Sequence, residues 1–288
     1  MRGLIAAGGP SDTLTQAQFA KLSAFIHRVA GIKMPPSKHA MVEGRLRRRV
    51  AATGAGSFAK YCAAVFHGGD DGEEVVNLID AITTNKTDFF REPQHFDLLT
   101  RTILPGMDTA QQPLKVWSSA CSIGAEPYTL AIVLSEYRQA QNSRFLPMPP
   151  PLITATDLCT TVLRTAREGI YPEDMIAPIP PELRKRYLLR ARASADRSVR
   201  ISPALRAMVQ FGQLNLMAPA YPLGRDFDIV FCRNVLIYFD RADQLAVLGK
   251  LCGHLRTGGV LALGHSESIH NFDLPLVPIG QTMFRKLP

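Results

Sequence analysis

Paired cysteines are missing from this chain. Its five cysteines, Cys62, Cys121, Cys159, Cys232 and Cys252, are odd in number and scattered, with no C-x-x-C spacing. That excludes a disulfide framework and a cysteine-based zinc site, and it fits a reducing cytoplasm. Long apolar runs are absent too. None approaches the ~20 residues that a membrane helix needs, so no membrane insertion is expected. The apolar part of Met1 to Pro10 is too short for a signal peptide. The chain has no G-K-[ST] phosphate loop and no G-x-G-x-x-G dinucleotide fingerprint. No internal repeat is visible.

What is present describes an ordinary globular chain with uneven charge. Of 288 residues, 46% are hydrophobic and 20% charged, enough for a large domain and a small one. The net charge of +8 is exceeded by two stretches alone. Lys33 to Arg49 has six basic residues against Glu43, and Arg184 to Arg206 has eight against Asp196. Such patches face nucleic acid, anionic lipid or an acidic protein, or are merely solvated helix faces. Like charges three and four apart repel on a helix, so Arg45, Arg47, Arg48 and Arg49 favour a partner over plain solvation.

Residues 11 to about 80 read as a small helical module. Thr15 to Ile26 has helical apolar spacing closed by Gly31. A basic helix is expected from Lys38 to Ala52, and further helices over 57–66 and 72–82. His67 near Asp70 and Asp71 reads as a solvated turn rather than a metal site. After Leu114, short apolar runs alternate with helices, which predicts a parallel βαβ sheet. Its strands are expected at 114–118, 152–156 (ending in Asp157), 209–211, 227–232 and 260–264. Pro127 opens a helix to Arg138, another spans 242–254, and Met148 to Pro151 is a stiff linker. Thr257-Gly258-Gly259 reads as a turn, and Thr282 to Lys286 as the edge strand. Trp117 reads as core. Residues 170 to about 208 exceed a plain crossover and read as an inserted antiparallel β unit, with strands at 187–189 and 199–201.

The most informative run is Thr83-Thr84-Asn85-Lys86-Thr87-Asp88-Phe89-Phe90-Arg91-Glu92-Pro93-Gln94-His95-Phe96. It fits neither helical nor strand periodicity cleanly, is not what a hydrophobic core would require, and reads either as the entrance to a polar, partly aromatic pocket or as an amphipathic helix start capped by Thr or Asp. Three further blocks stand with it: Val116 to Tyr128, Phe231 to Asp240, and Gly264-His265-Ser266-Glu267-Ser268. Together they resemble the CheR family of chemotaxis-receptor glutamate O-methyltransferases, in the family's order, over roughly residues 18 to 285. The resemblance implies an α/β, Rossmann-like S-adenosylmethionine-dependent methyltransferase sheet. It also implies an N-terminal helical, receptor-docking domain (11–80), a catalytic domain (81–288) and a small antiparallel β subdomain within it.

In an open α/β sheet, ligands bind beyond the carboxyl ends of the strands. Gly124 there allows a tight turn, and Asp157 either accepts hydrogen bonds from ribose hydroxyls or caps a neighbouring helix. A nucleoside without a pyrophosphate suits S-adenosyl-L-methionine, with S-adenosyl-L-homocysteine as product. The resemblance implies cofactor contacts from Asn85, Thr87, Arg91, Glu126, Asp157, Asn215, Leu216, Arg233 and Asn234. The family usually reads G-E-E-P-Y where this chain has Ala125 for the first Glu. Arg91 offers a planar fork for a carboxylate, either the cofactor's or the incoming glutamate's. Tyr238 either places a hydroxyl near the transferring methyl or packs on the helix that follows. His95 and His265 read as structural histidines. With a carboxylate as nucleophile, no general base is required.

The implied partner is the cytoplasmic helices of methyl-accepting chemoreceptors, met by Lys38, Arg45, Arg48 and Arg49. A nucleic-acid methyltransferase would also explain the basic charge, but Arg233-Asn234-Val235-Leu236 stands where an N/D-P-P-Y/F motif would be, so no nucleic acid is expected. A non-catalytic cofactor-binding adaptor is the other alternative, weighed against by Arg91, Asp157 and Tyr238. Family members that tether to a receptor's C-terminal pentapeptide carry a glycine-rich turn in the β unit. Here Leu188 to Arg200 contains no glycine, so methylation independent of the pentapeptide is expected.

Overall fold

The computed structural model describes residues 12–70, 72–107, 112–142, 148–190 and 197–288, and the chain divides into two compact units, Met1–Thr84 and Asn85–Pro288. The first is helical: α1 (Gln16–Ala30), α2 (His39–Ala52), α3 (Phe58–His67) and α4 (Glu73–Ile82). Thr15 and Gln18 form a reciprocal capping box at the start of α1, and Gly31, at φ +70°, ends it in the left-handed region that glycine tolerates. Helix α2 buries only Val42 and Leu46, one turn apart, so the rest of its surface is polar.

That polar surface is largely spoken for. Arg45 donates to the carbonyls of Ile82 (2.7 Å) and Thr83 (2.9 Å), supplying the acceptors at the end of α4 with a donor. Arg49 grips Glu74 with two bonds (3.0 and 2.5 Å), and Tyr61 donates to the same carboxylate at 2.8 Å. Arg47 pairs with Glu43 and lies over the ring of Phe58. The argument from like-charge repulsion therefore fails for Arg45, Arg47 and Arg49, because their charge is used inside the unit. Among the described residues, Arg48 and Lys38 are exposed without a side-chain partner.

The second unit is a mixed sheet with helices. Its elements are α5 (Gln94–Leu98), β1 (Lys115–Ser119), α6 (Ala125–Asn142), β2 (Leu152–Asp157), α7 (Thr160–Glu168), β3 (Ile170–Pro172), α8 (Pro181–Tyr187), β4 (Leu188–Arg190), β5 (Ser198–Ile201), α9 (Pro203–Arg206), β6 (Val209–Gln213), β7 (Phe227–Cys232), α10 (Arg241–His254), β8 (Leu255–Leu263), β9 (Leu276–Gly280) and β10 (Met283–Lys286). The seven-stranded sheet runs β6-β2-β1-β7-β8-β10-β9. The five strands from β6 to β8 are parallel, and β10 and β9 are antiparallel to what precedes them. Strand order reverses at β1 and β7, which opens a crevice between their carboxyl ends. Trp117 is fully buried in β1, and its indole N–H is satisfied by Thr156 at 2.9 Å.

Three expectations need correction. Thr257-Gly258-Gly259 lies inside β8, not before it, where a register shift opposite Phe227 and Ile229 absorbs the extra residues and Gly258 sits at φ +74°. Strand β10 is paired on both sides, and the edge is β9, disguised in the sequence by Pro278 and Gly280. The signature run does feed the core: Phe89 is fully buried edge-on to Tyr171 (5.1 Å), and Phe96 stacks on Phe231 (5.9 Å). Its aromatics anchor an otherwise polar segment.

The insert forms a separate three-stranded antiparallel sheet, β3-β5-β4. Strand β3, short and ending in Pro172, carried no sequence signal. Residues 191–196 of the glycine-free stretch, with Ala191, Ala193 and Ser194, lie outside the described residues, as do Asp71 and Met1 to Pro10. Several basic residues nearby have internal partners: Arg186 with Glu136, Arg190 with Glu173, and Arg184 with the carbonyls of Ile179 and Ala177. No helix among the described residues is long and apolar enough to cross a membrane.

Candidate active site

The carboxyl ends of the five parallel strands lie along one edge of the sheet. After β1 the chain turns through Ala120 (φ +60°), Ser122 (φ +51°) and Gly124 (φ +92°) into α6. Two non-glycine residues in the left-handed region within three positions store strain, as loops built around a ligand commonly do. Asp157, at the end of β2, holds that turn. Its Oδ2 accepts from the Ser122 amide (2.8 Å) and its Oδ1 from the Cys159 amide (2.9 Å) at the start of α7. The capping role is therefore present.

The signature segment forms one wall. Asn85 is half-buried, its carbonyl accepting from Ser122 Oγ (3.0 Å) and its amide reaching Cys159 Sγ (3.6 Å). Thr87 is half-buried and makes no side-chain hydrogen bond among the described residues. Arg91 donates to the Lys86 carbonyl at 3.0 Å, which leaves most of its donors open. Phe90 and Glu92 both hold positive φ, +54° and +55°. At the end of β6, Asn215 Oδ1 accepts the Met217 amide (2.9 Å). The Leu216 carbonyl takes Lys250 Nζ and Tyr221 Oη, both at 2.8 Å, which fixes that loop.

Arg233, after β7, is the strut of the site. Its guanidinium donates to Glu126 (3.0 Å), Glu92 (2.8 Å) and the Arg91 carbonyl (2.6 Å), with its side chain only 2% exposed. Its two terminal nitrogens are thus committed internally, while the buried Nε has no hydrogen-bond partner among the described residues. Glu126 also accepts from Ser118 Oγ at 2.7 Å. Burial pushes the Glu126 carboxyl up, against the charge of Arg233. For Glu92 burial acts the same way, but the hydrogen bond and charge of Arg233 win, and its pKa falls to about 2.

Two residues that sequence reasoning passed over do much of the positioning. Glu92 also accepts from Asn234 Nδ2 (3.2 Å). Glu267, after β8, accepts four backbone N–H groups, from Gly264 (2.6 Å), Asn234 (2.9 Å), Val235 (2.9 Å) and Leu236 (2.8 Å). Burial pushes its carboxyl up, while those four amides favour the anion. Both glutamates lie inside the quoted motifs, so their position was the available signal. Where the two loops meet, a Cβ on Gly264 would fall 2.5 Å from Asn234 Nδ2 and 2.9 Å from its backbone nitrogen, which explains a glycine there.

Ala125, the departure from the family pattern, is fully buried at the start of α6, so no polar contact replaces the missing glutamate. Tyr238 ends a 3-10 turn (Leu236–Tyr238), half-buried, with no ring contact or side-chain hydrogen bond among the described residues. His95 is fully buried, and burial, with Arg233 nearby, brings its pKa down to about 4. The thiols of Cys121 and Cys232 are pushed well up by burial and are not nucleophiles at neutral pH.

A strand-order reversal, a glycine turn without a phosphate loop and an acid at the end of β2 fit the sheet of an S-adenosylmethionine-dependent methyltransferase, the class that the family models show. The family model described as CheR methyltransferase, SAM binding domain, matches residues 85–283, and that of the CheR methyltransferase, all-alpha domain, matches residues 17–83. The chemotaxis protein methyltransferase 2 of Pseudomonas aeruginosa is 35% identical over 94% of this chain and 93% of its own length. The chemotaxis protein methyltransferase of Escherichia coli is 34% identical over 94% of this chain and 91% of its own. This chain belongs to the CheR methyltransferase family. Among solved structures, a glycopeptide N-methyltransferase complexed with sinefungin overlays with a TM-score of 0.37 at 19% identity, covering 70% of this chain and 60% of that one, too loose a likeness to argue from.

Proposed function

We propose that this enzyme methylates glutamate side chains on the cytoplasmic helices of methyl-accepting chemoreceptors, forming glutamyl methyl esters and releasing S-adenosyl-L-homocysteine. The observation that supports the reading is that Thr87, Arg91 and Tyr238 keep side-chain donors uncommitted among the described residues, in the same unit as the strand-end carboxylate of Asp157. S-adenosyl-L-methionine, when bound, supplies an electrophilic methyl on a sulfonium sulfur. A receptor glutamate, with a pKa near ~4.3, is already the nucleophilic carboxylate at neutral pH. Catalysis then reduces to alignment and exclusion of water.

Each group has a place in that scheme. Asn85, Thr87 and Arg91 line the methionyl side, Arg91 matching a carboxylate with its planar fork. Asp157 accepts from the ribose, Asn215 and Leu216 frame the adenine, and Glu126 and Asn234 hold the floor between β1 and β7. Tyr238 presents its hydroxyl where the glutamate enters. Asp157→Ala is expected to weaken cofactor binding by about 1.5–3 kcal/mol, the worth of hydrogen bonds to a charged acceptor. Calorimetry giving unchanged affinity in a folded variant would take Asp157 out of the site.

Transfer of radiolabelled methyl to receptor fragments, with nucleic acid as the comparison substrate, separates this reading from a nucleic-acid methyltransferase and from a silent adaptor. Label on nucleic acid, or on nothing, overturns it. For receptor docking, the free charges on α2 matter most. Reversing Arg48 together with Lys38 to Glu should slow receptor methylation several-fold and flatten its salt dependence, with cofactor affinity unchanged. Equal rates in wild type and variant would make this face solvated surface. The glycine-free insert supports methylation that does not depend on a C-terminal pentapeptide tether, and micromolar binding of that free peptide would reverse the expectation.

A further inference from the structure

Beside the crevice lies a group of three side chains that the methyl-transfer chemistry does not use. Glu92, His95 and His265 bring one ligand atom each to within 4.8 Å of one another. Glu92 Oε2 is 3.6 Å from His95 Nδ1 and 3.8 Å from His265 Nε2. The two imidazole rings meet edge to face with centroids 5.0 Å apart.

The hydrogen-bond network assigns the tautomer of His95. Its Nε2 lies 2.8 Å from the Gln281 carbonyl and 3.0 Å from Thr282 Oγ1. The Thr282 hydroxyl spends its own proton on the Leu263 carbonyl at 2.9 Å. Both neighbours of Nε2 are therefore acceptors, so the ring proton sits on Nε2 and Nδ1 is a bare lone pair. That Nδ1 is buried, has no hydrogen-bond partner among the described residues, and points at an ionised carboxylate. Two acceptors face each other across 3.6 Å, and of the two only Glu92 Oε2 has a donor, Arg233 at 2.8 Å. Buried groups left in that state are uncommon and ask for a cation.

Geometry separates the candidates. A water donating to both atoms at about 2.8 Å would need an angle of about 80° between its bonds, too acute for its two O–H groups. An ion about 2.1 Å from each atom would see them about 120° apart, and ligands around tetrahedral zinc sit roughly 3.4 Å from each other. The separations of 3.6 and 3.8 Å exceed that by a few tenths of an ångström, and the two imidazole nitrogens lie within 4.8 Å of each other. Two imidazoles and a carboxylate suit zinc, cobalt or nickel rather than magnesium or calcium. Arg233 donates to the same Glu92 oxygen, Oε2, at 2.8 Å, and Asn234 to the other, Oε1, at 3.2 Å, so both fix the carboxylate and an ion would share Oε2 with the guanidinium. The Arg233 charge opposes a second cation and weakens the site. His265, 44% exposed, gives the ion its way in.

We propose that Glu92, His95 and His265 form a binding site for a divalent transition-metal ion of the zinc type, completed by solvent. A bound ion fastens the loop after β8 to the segment that carries Arg91.

The test is titration of the metal-free full-length protein with Co2+, read by visible absorption, followed by displacement with Zn2+. One low-symmetry Co2+ site that Zn2+ displaces is expected. His265→Ala, an exposed substitution, should lower the Zn2+ affinity at least tenfold, whereas His270→Ala, on the same loop but outside the cluster, should not. Zn2+ should also raise the melting temperature of wild type and not of His265→Ala. Equal Zn2+ affinity in His265→Ala and wild type, or no cobalt spectrum up to millimolar metal, overturns the proposal.

Discussion

Arg233→Met should lower the stability of the sheet unit by about 3–5 kcal/mol, the usual result of removing one partner from a buried ionic group. The guanidinium is the common counter-charge of Glu92 and Glu126, whose side chains are each only 12% exposed. Without it two carboxylates face each other in a poorly solvated space, and relief comes by protonating one of them. Glu126 is that one, since burial already pushes its carboxyl up. Methionine fills most of the volume, so the loss measures charge more than packing. Arg233→Lys should fall between, because an ammonium cannot bridge both acids and the Arg91 carbonyl at once. The chain's single tryptophan, Trp117, sits buried in β1, so its fluorescence during chemical denaturation follows this unit. A midpoint within error of wild type for Arg233→Met would mean that the two acids find other partners.

The same residues show what the sequence could and could not reveal. Parallel strands were legible because their hydrophobic runs are continuous and end in polar, small or acidic residues: Asp157 after β2, Asn215 after β6, Arg233-Asn234 after β7. Strands β3 and β9 were not, because Pro172, Pro278 and Gly280 mask pieces whose pairing depends on distant partners. The candidate site was legible as four motifs, but not as a network. Glu92 and Glu267 are acids that bond to groups far away in sequence, and nothing in spacing tells a bracing carboxylate from a solvated one. Charge on α2 misled for the same reason. Arg45 and Arg49 look like surplus until Ile82, Thr83 and Glu74 are brought beside them. His95 and His265 were both expected to be satisfied structural histidines, and the unsatisfied nitrogen of His95 was not legible, because a tautomer is set by tertiary acceptors.

Glu267→Gln should be at least as damaging as Glu267→Ala, and the order of these two variants is the informative result. In the wild type, Oε2 accepts from Gly264 and Asn234, and Oε1 from Val235 and Leu236. Glutamine keeps the shape but replaces one oxygen with an NH2 group. Whichever way it turns, that NH2 confronts two backbone donors and strips them of an acceptor. Each buried amide left unpaired costs about 1–3 kcal/mol, so the pair gives a loss on the order of 2–6 kcal/mol. Alanine removes all four bonds but opens space for water, which can serve the amides in part. The function follows from the same geometry. Asn234 is held at φ +58° by this brace, a conformation that asparagine tolerates but does not prefer. When the brace goes, the loop relaxes, and Asn234 and Tyr238 leave the positions proposed for cofactor and glutamate. Calorimetry with S-adenosyl-L-methionine, under conditions where Trp117 fluorescence reports a folded sheet, should then show an affinity at least tenfold weaker for Glu267→Gln. Full affinity and an unshifted unfolding midpoint would show that the loop holds its shape without the carboxylate.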